Sequence, residues 1–399
     1  MNARTRTALA VLLALSAAAF PVTQAAVAST APPSPSRCTS AADPGGLDTA
    51  ALCAALGSLP DSDTTAALVR VGGTDGTWRG SAGVHDLDTG RPADPRGRFR
   101  AGSVTKVFTA AVVLQLAAER KVDLGAPARR YLPALVPAAY GDVTVRQLLD
   151  HTSGIPGADM PGGTVEEAYA HRFDLHPPES MVENATAKAP EFAPGTKQHY
   201  LNINYTVLGL LIEKVTGRPY AEEVGRRVLR PLRLRDTSYP GTDPRIEGPH
   251  NHGYQRFAHA DGTTELRDVT IWGQTESWAA GDIISTTADL ERFLRALFTG
   301  RVVPRPQLEE MFTLPAASVR EYGSGAPASY SAGLSVITLG GREVWGKTGS
   351  RYGYTSAIAA TRDLSRTMVL DVGATDAKGE DMNSTELALI VAAFGAPSA

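Results

Sequence analysis

The chain reads as an α/β (α+β) protein in which one antiparallel sheet, flanked by helices, carries a mostly helical insert. Three observations predict this. Short β-prone runs separated by turn residues lie towards both ends of the chain. The middle is filled by segments with apolar residues at helical spacing. With 399 residues, 43% of them hydrophobic and 20% charged, the chain is long enough for one large or two ordinary domains with a real core.

The first element is an address rather than a fold segment. Arg4 and Arg6 form a positive start, Ala8 to Phe20 is an apolar run too short for a comfortable membrane span, and Ala26-Val27-Ala28 reads as a cleavage site. Residues 1–28 are therefore expected to be a signal peptide, and the mature protein to be secreted or periplasmic with no stable membrane span. Ala31 to Ser36, rich in Pro and Ser, is expected to be disordered. Residues 29–60 form an N-terminal segment holding the only cysteines, Cys38 and Cys53. Export permits a disulfide between them, worth roughly 3 kcal/mol in the chain-entropy model. Two free thiols are the alternative.

Ala66 to Val71 and Thr77 to Val84 are β-prone runs joined by Gly-Gly-Thr-Asp-Gly, a hairpin signal. From Val104 to Ala118 the period becomes helical, with an apolar surface broad enough for a helix buried on most sides. Short helices follow at Val143 to His151, Asn202 to Thr216 (closed by Gly217) and Thr287 to Phe298. Strands return at Ala332 to Ile337, Arg342 to Thr348, Thr355 to Ala360 and Thr367 to Val372, and Asn383 opens a last helix through Phe394. The expected division is a sheet-and-helix domain from residues 61–125 and 265–399, and a mostly helical domain from 126–264. An active site belongs in the cleft between them.

Three short motifs carry chemistry. Ser103-Val104-Thr105-Lys106 opens the buried helix, where positions i and i+3 share a face, so a hydroxyl and an amine can meet. A Ser needs a neighbouring base to become a nucleophile, and a Lys in an apolar setting can lose its proton. Tyr200-Leu201-Asn202 stands at a loop-to-helix junction, from which Tyr200 and Asn202 can point into a cleft. Nearby lysines are expected to depress the Tyr200 pKa, so that its phenolate serves as a base. Lys347-Thr348-Gly349-Ser350 lies on a strand, with Lys347 and Gly349 on one face and Thr348 and Ser350 on the other. Gly349 is expected to let substrate approach the backbone, and the Ser350 N–H to join that of Ser103 in an oxyanion hole.

Together these motifs resemble the serine penicillin-recognising family, in the branch of class C β-lactamases and soluble D-alanyl-D-alanine carboxypeptidases, where Tyr-x-Asn stands for the second motif. Leu148 to Ile155, Phe192 to Gly195, Ser277-Trp278 and Gly281 to Asp289 resemble further segments of that branch, and the likeness runs from about Ala66 to the C-terminus. The resemblance implies a β-lactamase/transpeptidase-like fold and an acyl-enzyme on Ser103. It implies that Lys106 and Tyr200 move the proton and that Asn202 holds the substrate amide. Lys347 would support Tyr200 and the substrate carboxylate, Thr348, Gly349 and Ser350 would line the strand, and Trp278 would form pocket wall. His151 to Gly154 looks structural in the family. The implied substrate is a peptidoglycan stem peptide or a β-lactam. The family's arginine upstream of the Lys-Thr-Gly motif is missing from Gly333-Leu334-Ser335-Val336, which puts recognition of a terminal carboxylate in question. A class C-like β-lactamase, an esterase and a non-catalytic β-lactam sensor are the competing readings.

Other classes are disfavoured. A formal charge of −3 leaves no footprint for nucleic acid. Gly341 to Thr348 matches the P-loop pattern, but strand residues fill it and a turn, not a helix, is expected after the lysine. His250 and His252 lack a Cys or carboxylate cluster, so no metal is expected, nor any cofactor. The protein is expected to act as a monomer.

Overall fold

The computed structural model describes residue 38 and residues 46–160, 163–259 and 261–395. The expected signal peptide and the Pro/Ser-rich stretch after it fall outside the described residues. Cys38 and Cys53 are joined in a disulfide, with Cα atoms 5.7 Å apart.

Six strands build one antiparallel sheet. They are β1 (Thr64–Gly72), β2 (Trp78–Gly83), β3 (Ser335–Leu339), β4 (Arg342–Arg351), β5 (Tyr354–Ala360) and β6 (Thr367–Ala374). Their spatial order is β2-β1-β6-β5-β4-β3, so the two ends of the chain meet where β1 pairs with β6. Strands from residues 64–83 and 335–374 thus form one sheet, as their similar β-prone patterning implies.

Both faces of the sheet are covered. On one, α1 (Thr49–Leu56) and α5 (Ser384–Phe394) pack on Val69, Val71, Met368, Leu370 and Val372. On the other lie α2 (Thr105–Ala118), α3 (Asn202–Thr216) and α4 (Thr287–Phe298). The rings of Phe108 in α2 and Phe293 in α4 stack with centroids 3.7 Å apart. Each such buried side chain contributes about 1.5–3 kcal/mol. Nearly every residue of α2 from Thr105 to Leu114 is fully buried, as its all-round apolar surface requires. Gly217 closes α3 in the left-handed conformation, at φ 67°.

One core joins α2, α3 and α4, including Leu148, Leu208 and Leu297, and so spans both expected domains. The boundary drawn between residues 264 and 265 cuts a hairpin, Tyr254–Ala258 with Thr264–Asp268, in which Ala258 pairs with Thr264. The P-loop look-alike is settled by β4, which runs as one strand from Arg342 through Arg351 and turns directly into β5.

Candidate active site

The site forms where the start of α2 meets β4 and the start of α3. A short 3-10 turn, Gly102–Val104, leads into α2 and carries Ser103. Backbone and hydroxyl bonds hold it from three sides. Ala101 N donates to Ile283 O (2.9 Å), Ser356 Oγ of β5 donates to Ala101 O (3.0 Å), and Thr105 Oγ1 donates to Gly102 O (2.7 Å) while accepting from Ile283 N (3.0 Å). Gly102 has φ 50°, and a Cβ there would stand 2.5 Å from the Ser350 nitrogen. Only glycine lets the Ser103 turn press onto β4 in this way.

One turn along α2, the fully buried Lys106 has three oxygens around its Nζ. These are Ser103 Oγ at 3.1 Å, Asn202 Oδ1 at 2.7 Å and Ala280 O at 2.8 Å. Burial, reinforced by the nearby charges of Lys347, Lys378 and Arg351, pushes the Lys106 pKa far down. A neutral amine fits this cage. Its two N–H groups serve the two carbonyl oxygens, which have no proton to give, and its lone pair faces the Ser103 hydroxyl.

Tyr200 lies between two lysines. Lys106 Nζ is 4.8 Å and Lys347 Nζ 4.7 Å from its ring centroid. The expected phenolate is not what this arrangement favours. Burial raises the Tyr200 pKa, and only the Ser103 hydroxyl beside it acts the other way. Both lysine nitrogens lie over the ring, neither makes a hydrogen bond to the phenol oxygen, and a desolvated lysine is a weak source of positive charge. Tyr200 is therefore held as a phenol, a proton donor.

On β4 the strand alternation is as expected, with Lys347 and Gly349 buried and Thr348 exposed. Lys347 donates to Thr348 O (2.7 Å). Burial lowers its pKa to about 7, against the charge of Glu386, which raises it.

A comparison with protein families decides the family. The Beta-lactamase family model matches residues 59–391. The chain belongs to the β-lactamase family. A D-stereospecific amidohydrolase from Streptomyces sp. superposes with a TM-score of 0.73 and 33% identity, covering 86% of this chain and 98% of that one. The D-amino acid amidase of Ochrobactrum anthropi shares the fold, with a TM-score of 0.73 at 24% identity over 86% of this chain and 97% of its own. The esterase EstB of Burkholderia gladioli is 35% identical over 189 residues, 44% of this chain and 47% of its own length. The putative penicillin-binding protein PbpX of Bacillus subtilis is 27% identical over 241 residues, 60% of this chain and 56% of its own length. The chain thus spans about half the length of these curated relatives.

Within this β-lactamase-family site, one expected role changes. Gly349 admits protein rather than substrate, because a Cβ there would lie 2.0 Å from Ala101 O and 2.9 Å from Ser356 Oγ. It is the second glycine that lets β4 and the Ser103 turn touch. Trp278, expected as pocket wall, packs its indole against Tyr220 (ring centroids 5.1 Å apart) and against Gly209 of α3. What its segment gives the Ser103–Lys106 pair is the Ala280 carbonyl. Ser350 turns its hydroxyl to Ala377 O, and its carbonyl accepts from the exposed Lys378 at 2.8 Å.

Sequence reasoning missed three contributors. Ala280 acts through its backbone, which no side-chain motif reveals. Lys378 and the Arg351–Glu276 ion pair lie beside the site, and only their place in the fold brings them there. No candidate metal cluster exists among the described residues, and no described helix is long and apolar enough to cross a membrane.

Proposed function

We propose that this protein is an exported serine hydrolase that forms an acyl-enzyme on Ser103 and cleaves amide bonds beside D-configured residues, with peptidoglycan stem peptides ending in D-Ala-D-Ala as its substrates. The observation that carries the chemistry is the Lys106 cage, with Ser103 Oγ at 3.1 Å and two carbonyl oxygens at 2.7 and 2.8 Å. The D-stereospecificity draws on the Streptomyces amidohydrolase, at 33% identity over 86% of this chain.

The reaction follows from the geometry. Ser103 Oγ attacks the carbonyl carbon while its proton passes to Lys106 Nζ. The oxyanion lies against the N–H groups of Ser103 and Ser350, whose backbones the two glycines bring together. The Tyr200 phenol gives its proton to the leaving amine as the C–N bond breaks, and the Lys106 ammonium reprotonates Tyr200. Water then attacks the ester carbonyl, giving a proton to Lys106, and Lys106 passes that proton to Ser103 Oγ as the acyl C–O bond breaks, so that the acid is released with Ser103 and the neutral Lys106 restored. The Asn202 carboxamide oxygen is taken by Lys106, so its NH2 group is left to hold a substrate carbonyl.

An esterase is the second reading, favoured by the absence of an arginine on β3 to meet a terminal carboxylate. The test is parallel incubation with a fluorescent penicillin, a chromogenic cephalosporin, a D-Ala-D-Ala peptide, a D-amino acid amide and a simple ester. Turnover of the peptide or amide is expected. Covalent labelling by penicillin is expected for wild type and absent in Ser103→Ala. Unchanged labelling of that variant overturns the nucleophile. Turnover of esters alone moves the reading to an esterase, and acylation without turnover moves it to a sensor.

A further inference from the structure

Tyr200 and Asn202 flank the residue that opens α3, and that residue cannot cap a helix. Position Leu201 has no side-chain acceptor, and no side chain of its own turn bonds the first N–H groups. The turn is instead held by His151, fifty positions upstream. His151 Nδ1 accepts from Leu201 N at 3.3 Å and from Asn204 Nδ2 at 3.2 Å. The Asn204 carboxamide oxygen accepts from Ser153 Oγ at 2.5 Å. The His151 carbonyl accepts from His199 N at 2.9 Å, on the other side of Tyr200. The chain is therefore fixed just before and just after Tyr200 by one residue.

The ring does more. Its centroid lies 4.5 Å from that of Tyr200, and the rings of Tyr205 and Tyr330 close the box at 5.2 and 4.6 Å. Because Nδ1 accepts, the ring proton belongs on Nε2 and the imidazole is neutral. Burial holds its pKa far below the ordinary value. Two features are unusual for a residue that merely fills space. His151 is fully buried at φ 63°, in the left-handed region, and its Nε2 has no acceptor among the described residues.

We propose that His151 is the positioning residue of this site: its acceptor nitrogen sets the turn that aims the Tyr200 hydroxyl and the Asn202 carboxamide at Ser103 and Lys106. The inference rests on the reading of Ser103 as nucleophile.

Two substitutions suit the left-handed backbone, and they differ in one respect. His151→Gly adopts the conformation freely and removes the acceptor. His151→Asn also tolerates it and keeps an acceptor oxygen near the place of Nδ1. The readouts are the rate of Ser103 acylation by a fluorescent penicillin, kcat and KM on a chromogenic ester, and circular dichroism as the check on folding. His151→Gly is expected to acylate about 100-fold more slowly with KM within about threefold of wild type. His151→Asn is expected to return to within about fivefold. A folded His151→Gly within twofold of wild type overturns the proposal, and so does a folded His151→Asn as slow as the glycine variant. If His151→Gly does not fold, the rate of His151→Asn decides alone. Ser103→Ala separates the two levels of the argument. Labelling that survives in it refutes the nucleophile, whereas labelling lost in it but intact in His151→Gly refutes only the positioning role.

Discussion

Lys106 and Lys347 stand on either side of Tyr200, 4.8 and 4.7 Å from its ring, and both are buried. They differ in what surrounds the nitrogen. Lys106 has three oxygen neighbours, one of them the nucleophile, and three cations nearby. Lys347 has one carbonyl neighbour, and Glu386 draws its pKa back up towards the charged form. The same side chain is thus prepared as a base in one place and as a titrating cation in the other. Burial alone does not set the role of a buried lysine. The acceptors and charges around it do.

Removing each lysine breaks the comparison most directly. Lys106→Met keeps an apolar stem in the fully buried slot but takes away the base. Acylation of Ser103 is expected to fall about 10³-fold. The Asn202 and Ala280 oxygens lose their donor, which costs about 1–3 kcal/mol of stability. Thermal unfolding and labelling kinetics check both numbers. Labelling within tenfold of wild type would mean that another group takes the Ser103 proton.

The contact between β4 and the nucleophile's turn gives the next largest effect. In Gly349→Ala the new methyl would lie 2.0 Å from Ala101 O, a backbone atom that cannot swing aside. The turn must move, and a displacement of about 1 Å is worth about 10²-fold in rate. Thr338→Ala, an exposed position on the neighbouring strand β3, is the control, and its acylation rate should stay within about threefold. Equal effects of the two changes would show that the glycine is not what seats Ser103.

How much of this was legible beforehand differs from motif to motif. The Ser103–Lys106 pair was, because i and i+3 on a helix must meet whatever the rest of the chain does. The antiparallel sheet from both ends was too, since its strands carry their own turn signals. The role of Gly349 was misread because a sequence shows that backbone comes close but not to what. The Tyr200 protonation state was misread because the sequence says which charges are near but not whether they face the ring or the oxygen. Ala280 and Lys378 became visible only in the fold, and His151, read from the sequence as structural, shows its hold on the Tyr200 turn only there, where segments 28 to 174 positions apart along the chain lie side by side. The boundary at 264/265 failed because the polar strands of the hairpin, Thr264–Asp268 above all, lack the apolar alternation that marks a strand.

Lys347 gives a smaller effect, and one that reads specificity. If it meets the terminal carboxylate, Lys347→Ala removes a charge-assisted hydrogen bond of about 1.5–3 kcal/mol, about tenfold or more in kcat/KM for a free-acid D-Ala-D-Ala peptide. The matching amide has no carboxylate to lose, and any loss acting through Tyr200 is common to both substrates. The ratio of acid to amide is therefore the quantity to measure. A ratio unchanged by the mutation would mean that Lys347 does not read the carboxylate, leaving the exposed Lys378 beside Ser350 as the nearby cation to test.

The pH dependence of that ratio is the subtlest effect and the one that returns to the two lysines. The Lys347 pKa of about 7 is a depressed value, so the side chain is a cation below that pH and neutral above it. A carboxylate substrate stays ionised throughout the range from 6 to 9. Preference for the acid over the amide should therefore be highest near pH 6 and decline as pH rises through about 7, each further unit removing about nine-tenths of the remaining cation. Lys106 cannot produce this signature, since its contact with Ser103 Oγ makes its role common to both substrates. Lys347→Ala should abolish the dependence and leave a flat ratio near the wild-type value at high pH. Glu386→Gln sharpens the test. It removes the charge that raises the Lys347 pKa, so the midpoint should move to lower pH. A wild-type ratio that is flat across neutrality, or a midpoint indifferent to Glu386→Gln, would mean that Lys347 is not the titrating cation that the substrate meets.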